Sequence, residues 1–408
     1  MEPVAARMTA RNPASARARA PSTGVPAGKP DVLFVSPVSD VKGGAERILL
    51  DLMASPAITV AGLVVPGEGE LAGIARQRGI PVRHLDLGTI AAVRRRPGLA
   101  DLARAGRNAV QAAAQVAQAA RDTGASVVHT NGLKVHVIGA LAARLHGTRV
   151  LAHLHDIPYT RLERVIWRAI SAAATRTMLV SRPCHPAAGP LPSRVAVVLN
   201  GIDPATVPPG ATRPRTLPDR PVLGFVGRFH QFKGLADLLD WFEAAAPLLP
   251  NVDLLLRGRA DPEGKEYWAS LQPAITRLAA SGRLRVEGWR SGADDPYDGI
   301  DVLAVPSAEP DPSPRVIMEA MLRGIPVLAR PVGGIPELIA SPGLGSLAAN
   351  QEEFVGALQR LLQPSRYAEV SAAAQAHART AFSLERFWHE TAEQHRLASG
   401  RSRAAEPA

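Results

Sequence analysis

The sequence predicts an α/β protein of two domains, each an open parallel sheet flanked by helices. Three observations carry that expectation. Short runs rich in valine, leucine and isoleucine recur along the chain, with helix-period segments between them, the pattern of buried parallel strands and crossover helices. A chain of 408 residues exceeds what one hydrophobic core usually supports. Residues 204–221 are rich in proline, threonine and arginine without periodicity, which reads as a linker.

The ordered part should begin at Asp31, where Val32-Leu33-Phe34-Val35 reads as a first strand. Gly43-Gly44-Ala45-Glu46 then leads into a helix bearing Ile48, Leu49, Leu50, Leu52 and Met53. A glycine pair before a helix lets backbone amides approach an anion at the positive helix end. A strand over residues 58–65, a helix, Val82-Arg83-His84-Leu85 and a long alanine-rich helix over residues 99–121 follow. Val127-Val128-His129 and Val150-Leu151-Ala152 are further strands, the second running into His153-Leu154-His155-Asp156. Histidines at i and i+2 of an extended segment point the same way, which raises a metal site. No third ligand stands nearby and the chain has no Asp-x-Asp triplet, so none is expected. Met178-Leu179-Val180-Ser181 and residues 195–199 finish the first sheet, and Asn200-Gly201-Ile202-Asp203 closes it with a turn-forming pair.

The second sheet opens with Val222-Leu223-Gly224-Phe225-Val226. Gly227-Arg228-Phe229-His230-Gln231-Phe232-Lys233-Gly234 follows, and then a helix through Leu235, Leu238, Leu239 and Phe242. A strand, a flexible turn, two cations and a helix N-terminus make a place for phosphate groups. The nucleotide-triphosphatase loop is excluded, because its glycine spacing and Lys-Ser/Thr ending are absent. Strands ending at Arg257-Gly258 and Glu287-Gly288 come next, then Val302-Leu303-Ala304-Val305. The last of these opens into Pro306-Ser307-Ala308-Glu309-Pro310-Asp311-Pro312-Ser313-Pro314 and a helix from Arg315-Val316 that carries Glu319. Asp311 and Glu319 can then face one crevice at the carboxyl end of a parallel strand, where open α/β sheets bind ligands. Residues 325–329 form the last strong strand, Gly333-Gly334 follows it, and helices over residues 351–362 and 384–397 close the chain.

The run from Asp311 to Glu319 resembles the glutamate, seven residues, glutamate signature of the family 4 (group 1) glycosyltransferases. Asp311 stands where most members carry the first glutamate, and Ser313-Pro314 where many carry Phe-Gly; the Asp-Pro-x-Pro form resembles a recurrent variant. Pro314 has no N–H to donate. The segment from Gly227 to Gly234 also matches this family. The resemblance is detailed from Gly224 to Glu337 and looser from Val32 to Asp203. It implies the GT-B fold, two Rossmann-like domains facing each other across a cleft, and sugar transfer from a nucleotide-diphosphate sugar to an acceptor hydroxyl with retention. It assigns Arg228 and Lys233 to the donor diphosphate, Asp311 to the sugar hydroxyls, Glu319 to the ribose, and His155 to the donor sugar from the facing domain. Gly43, Gly44, Arg315 and Val316 would border the donor, and the Arg257 and Glu287 loops would line its base pocket. No metal and no cofactor is expected. The implied division is residues 31–203, the linker, residues 222–383, and a final helix over 384–397 returning to pack on the first domain.

The net charge is +10, which calls for an anionic partner. Arg7, Arg11, Arg17, Arg19 and Lys29 lie in a tail over residues 1–30 that lacks the apolar centre of a signal peptide and reads as disordered. A second disordered tail is expected over residues 398–408. Nucleic acid is not the expected partner, since zinc-finger spacing and aromatic residues among the arginines are missing. The arginine run 94–96 is a solvated turn or a surface for anionic lipid or acceptor, and peripheral contact with an anionic membrane goes with a lipid-linked acceptor. The single cysteine, Cys184, excludes an intramolecular disulfide framework and fits a reducing compartment, the cytoplasm, as an incidental thiol. Rival readings are a non-catalytic nucleotide-sugar binding or scaffold protein, a GT-B sugar-nucleotide epimerase, and a phosphorylase, for which no pyridoxal-phosphate lysine motif is visible.

Overall fold

The structure, a computed structural model, describes residues 28–41, 43–88, 99–186, 189–208, 215–260, 262–290 and 294–400. The basic segment before residue 28, the arginine run 94–96, residues 209–214 of the linker and the end from residue 401 lie outside the described residues.

Because every strand of a parallel sheet is covered on both faces, its residues must be apolar throughout; β1 (Asp31–Val35) buries Val32, Leu33, Phe34 and Val35 completely. The chain continues through α1 (Gly44–Met53), β2 (Thr59–Val65), α2 (Glu70–Gln77), β3 (Val82–His84), α3 (Leu99–Asp122), β4 (Val127–Asn131), α4 (Leu133–His146), β5 (Val150–Leu154), α5 (Arg161–Ala173), β6 (Arg176–Leu179) and β7 (Val195–Val197). These strands form a seven-stranded parallel sheet in the order β3-β2-β1-β4-β5-β6-β7. The second sheet uses β8 (Val222–Arg228), α6 (Leu235–Ala245), β9 (Asp253–Arg259), α7 (Lys265–Ser270), α8 (Gln272–Ala280), β10 (Leu284–Glu287), β11 (Val302–Val305), α9 (Arg315–Leu322), β12 (Val327–Ala329), α10 (Ile335–Leu338) and β13 (Ser346–Leu347). Its six strands run β10-β9-β8-β11-β12-β13. In both sheets the order reverses beside the first strand, between β1 and β4 and between β8 and β11. Crevices for ligands open at such switch points.

Helices α11 (Gln351–Leu361), α12 (Pro364–Ala381) and α13 (Leu384–Ala398) end the chain. α11 and α12 cover the second sheet, with Phe354 and Leu358 on one face and Ala374 and Phe382 on the other. α13 leaves that sheet and buries Leu384, Phe387, Ala392 and Ala398 among Val32, Phe34, Leu151 and Met178 of the first. The chain thus crosses between the halves twice. The crossings lie side by side, joined by a bridge between Ile202 and Ser383 and by the Ile202 amide donating to the Phe382 carbonyl over 2.9 Å. A Cβ on Gly201 would meet Phe387 at 2.7 Å, so glycine is what permits this approach.

Pro30, Ala398 and Ser399, which fall in the expected tails, are held by the fold. Pro30 is buried and its carbonyl accepts from the Thr59 amide at 2.9 Å. Ala398 and Ser399 are each 1 % exposed, and Arg149 donates to the Ser399 carbonyl. Burial and hydrogen bonding hold these residues where composition suggested disorder.

Candidate active site

The site is built at the β8/β11 switch point. Arg228 is the last residue of β8, and a short turn carries the chain to Lys233 and Gly234 before α6. Gly234 has φ +72°, and a Cβ there would stand 2.1 Å from the Pro306 carbonyl oxygen. Only glycine brings this turn against the loop leaving β11. The Phe232 carbonyl, accepting from the amides of Ala308 and Glu309 at 3.0 and 3.3 Å, ties the two loops together. The Phe232 ring lies 5.2 Å from both the Arg228 guanidinium and the Lys233 ammonium. Lys233 Nζ reaches Asp311 Oδ2 at 2.5 Å, with the two side chains only 23 % and 15 % exposed. The cation expected on the diphosphate and the carboxylate expected on the sugar are thus paired directly.

Behind Asp311, Gly333 and Gly334 press on the loop. The Gly334 amide donates to the Asp311 carbonyl at 2.9 Å, and a Cβ at Gly334 would lie 2.0 Å from the Pro312 carbonyl oxygen and 2.6 Å from Ser181. Pro314 caps α9 at a position that needs no donor. The amides of Arg315 and Val316 belong to the first turn of this helix, where N–H groups lack intrahelical partners and the dipole favours anions. The Val316 side chain packs on the core below. One turn on, Glu319 Oε2 accepts from the Tyr297 hydroxyl at 2.5 Å, while Oε1 lies 3.5 Å from Arg315 Nε. Tyr297 is fully buried, with the Arg323 guanidinium 4.5 Å from its ring centre. Burial, then the Glu319 charge, pushes its phenol pKa well above the ordinary value.

The facing half closes on these loops. Arg315 Nη1 meets Asp51 of α1 at 3.2 Å, and the Arg315 side chain is 3.7 Å from where a Cβ on Gly44 would be. Burial raises the Asp51 pKa against the pull of Arg315. Gly43 starts α1, its amide held by Glu46 at 2.8 Å. Asn200 Nδ2 donates to Ser313 Oγ at 3.1 Å, the Tyr159 hydroxyl to the Pro310 carbonyl at 2.9 Å, and the Arg182 amide to Glu337 at 2.8 Å. Ser313 therefore acts as an inter-half tether. His155 follows β5 with its ring 4.0 Å from that of His153; its Nε2 is buried without a partner among the described residues. Burial lowers its pKa to about 3, so at neutral pH it is an uncharged imidazole.

Arg257, near the end of β9 in a segment expected to line the base pocket, turns its side chain inward. Its side chain is enclosed, donating to Glu287 at 2.8 Å and to the carbonyls of Pro296 and Asp298 at 2.9 and 2.7 Å. Glu287 is occupied by this arginine and by Arg290 at 2.8 Å. A buried guanidinium must find such partners, and here it braces the segment carrying Tyr297. Sequence reasoning missed Tyr297 and Asp51; both act through residues distant in sequence. Cys184 is fully buried and burial drives its thiol up to about 12, which leaves no thiolate for nucleophilic chemistry. Among the described residues no three His, Cys, Asp or Glu side chains are grouped to hold a metal ion.

Residues 220–364 match the family model for Glycosyl transferases group 1, and residues 63–206 that for Glycosyltransferase Family 4. The chain belongs to the family 4, group 1 glycosyltransferases. The chain has the GT-B fold, two Rossmann-like domains facing across a cleft. The Anabaena protein HepE, crystallised in complex with UDP, superposes with a TM-score of 0.71 at 26 % identity, over 89 % of this chain and 98 % of HepE. HepE in complex with UDP-glucose gives a TM-score of 0.69 at 25 % identity, over 89 % of this chain and 98 % of HepE. Among curated relatives, D-inositol 3-phosphate glycosyltransferase of Mycobacteroides abscessus is 32 % identical over 180 residues, 42 % of this chain and 40 % of the relative. Trehalose synthase of Pyrococcus horikoshii is 25 % identical over 158 residues, 38 % of this chain and 37 % of the relative. The match thus spans about 40 % of these curated relatives' length. Among the described residues no helix is long and apolar enough to cross a membrane.

Proposed function

We propose that this glycosyltransferase moves a sugar from a nucleotide-diphosphate sugar, a UDP-sugar in the first instance, to an acceptor hydroxyl with retention at the anomeric carbon. The observation that carries the reading is the Lys233–Asp311 pair, with a separation of 2.5 Å at the switch point, beside Arg228 and the N-terminus of α9. The bond from anomeric carbon to diphosphate oxygen breaks, the acceptor oxygen bonds to that carbon on the same face, and the departing phosphate takes the acceptor's proton. Lys233, Arg228 and the α9 amides would meet the charge developing on the diphosphate. Asp311 would turn to the sugar hydroxyls and Glu319 would accept from the ribose. His155, uncharged, would hydrogen-bond the sugar from the facing half. The reading routes no step through a metal or cofactor. HepE's complexes with UDP and UDP-glucose support the choice of base. The acceptor is a lipid-linked sugar, a glycan or a small molecule taken up on the first-sheet side.

The test is a thermal-shift screen with UDP-, GDP- and dTDP-sugars and the bare nucleotides, repeated on Lys233→Ala. A ligand at about 100 times its dissociation constant adds ~2.7 kcal/mol of stability. The expected result is a shift with uridine nucleotides that disappears in the variant. Failure of every nucleotide to shift the parent protein would overturn the donor site.

A further inference from the structure

Helix α5 has two apolar faces, and the fold covers one. Its inner side buries Trp167 and Ile170 in the first-sheet core. Its outer side leaves Leu162 and Val165 exposed at 69 % and 59 %, with Tyr159 at 50 % just ahead of the helix. Arg161, Arg164 and Arg168 are exposed on the same side, as their spacing of three and four residues requires. Among the described residues none of the three is in an ion pair: Arg164 and Arg168 donate to the carbonyls of Tyr159 and Pro186. The sole acid of α5, Glu163, is taken up by the amides of Tyr159 and Thr160 at 2.8 and 2.9 Å. Neighbouring α4 packs against α5 and adds exposed Leu133 and Lys134 at its own start.

We propose that this face rests on a bilayer containing anionic lipid. Aliphatic side chains alternating with exposed arginines match a surface with hydrocarbon beneath phosphate. A nucleic acid or an acidic protein would engage the arginines but has no use for Leu162 and Val165. The placement also has a consequence for substrate. Tyr159 belongs to this face and its hydroxyl holds the Pro310 carbonyl of the donor loop at 2.9 Å, so the membrane would lie at the mouth of the cleft. A lipid-linked acceptor could then enter without leaving its leaflet.

The full chain is sedimented with vesicles of phosphatidylcholine alone or mixed with phosphatidylglycerol, at physiological ionic strength. No nucleotide or turnover is needed, so the result is independent of the transferase reading. The parent should sediment with the mixed vesicles and stay in solution with phosphatidylcholine alone. R161A/R164A/R168A should lose about 100-fold in partition coefficient, roughly 5-fold per arginine, and L162E/V165E should lose binding as well. Each variant must melt as the parent does; L162Q/V165Q replaces the glutamate pair if that one unfolds. The proposal is overturned if the parent does not sediment, or if the apolar variants sediment like the parent. Either outcome for the apolar pair separates a bilayer from a polyanion, because loss only in the arginine variant would mean charge attraction elsewhere than in hydrocarbon.

Discussion

Tyr297→Phe offers a sharp test of how the proposed donor site is held, because it removes one oxygen and little else. The Tyr297 hydroxyl donates to Glu319 at 2.5 Å from a residue only 1 % exposed. Hydrogen bonds to charged groups contribute about 1.5–3 kcal/mol. The Glu319 side chain is 26 % exposed, so water can replace part of the loss and the lower end applies, about 1.5 kcal/mol, or about tenfold in affinity. Phenylalanine fills the same space and keeps the ring face 4.5 Å from Arg323, so the melting temperature should stay within a few degrees. Isothermal titration with UDP and UDP-glucose is the assay, on the parent, Tyr297→Phe, Glu319→Ala and the double variant. Donor affinity should fall about tenfold in Tyr297→Phe, and the tyrosine change should add nothing once Glu319 is gone. Unchanged affinity in Tyr297→Phe, or full additivity in the double variant, would refute the view that Tyr297 acts by positioning Glu319.

Gly234→Ala should cost several degrees of melting temperature and most donor binding, since φ is +72° and a Cβ would stand 2.1 Å from the Pro306 oxygen; Gly147→Ala, with φ +65° and open space around it, is the control and should cost only about 1 kcal/mol. Asp51→Ala removes the partner that Arg315 meets at 3.2 Å across the cleft; acceptor KM should rise while UDP affinity, measured by titration, holds, and an equal loss of both would contradict it. Stability should fall on acidification through the buried histidines. Burial holds His395 at about 3, whereas unfolded histidine titrates near ~6.5; between these values the unfolded chain binds more protons, so the contribution is complete above ~6.5 and is lost as pH falls toward 3. By pH 5 that is about 2 kcal/mol for this residue, and His395→Leu should flatten the decline of melting temperature between pH 7 and 5. Parallel curves would exclude it.

The strands were legible because parallel strands buried on both faces must read as apolar runs, as Val302-Leu303-Ala304-Val305 does. The turn after β8 was legible for a local reason too, with Arg228, Lys233 and Gly234 contiguous with a strand end. α12 was not legible, because its alanines, serines and glutamines give no strong apolar stripe, and burial of Tyr367, Val370 and Ala374 is decided by the second sheet. The Lys233–Asp311 pair spans 78 positions, and nothing in either segment announces it; the pairing of β8 with β11 creates it. Tyr297 sits in a stretch without periodicity, and its role exists only because Glu319 comes to meet it. Arg257 shows the same limit. It occupies a strand end, where ligand contacts gather, yet its side chain turns inward to satisfy carbonyls.

The two adjacent crossings at Ile202 and Ser383 give the cleft a mechanical character. A body hung on one thread swivels in any direction, but two threads fastened side by side leave a single easy rotation, like a lid on paired leaves. Opening and closing should therefore be one-dimensional, and the loops of Arg315, Ser313 and Tyr159 should part and meet together. The last helix supplies redundancy as well. A chain cut within residues 209–214 would still keep its halves in register, because α13 remains seated under the first sheet.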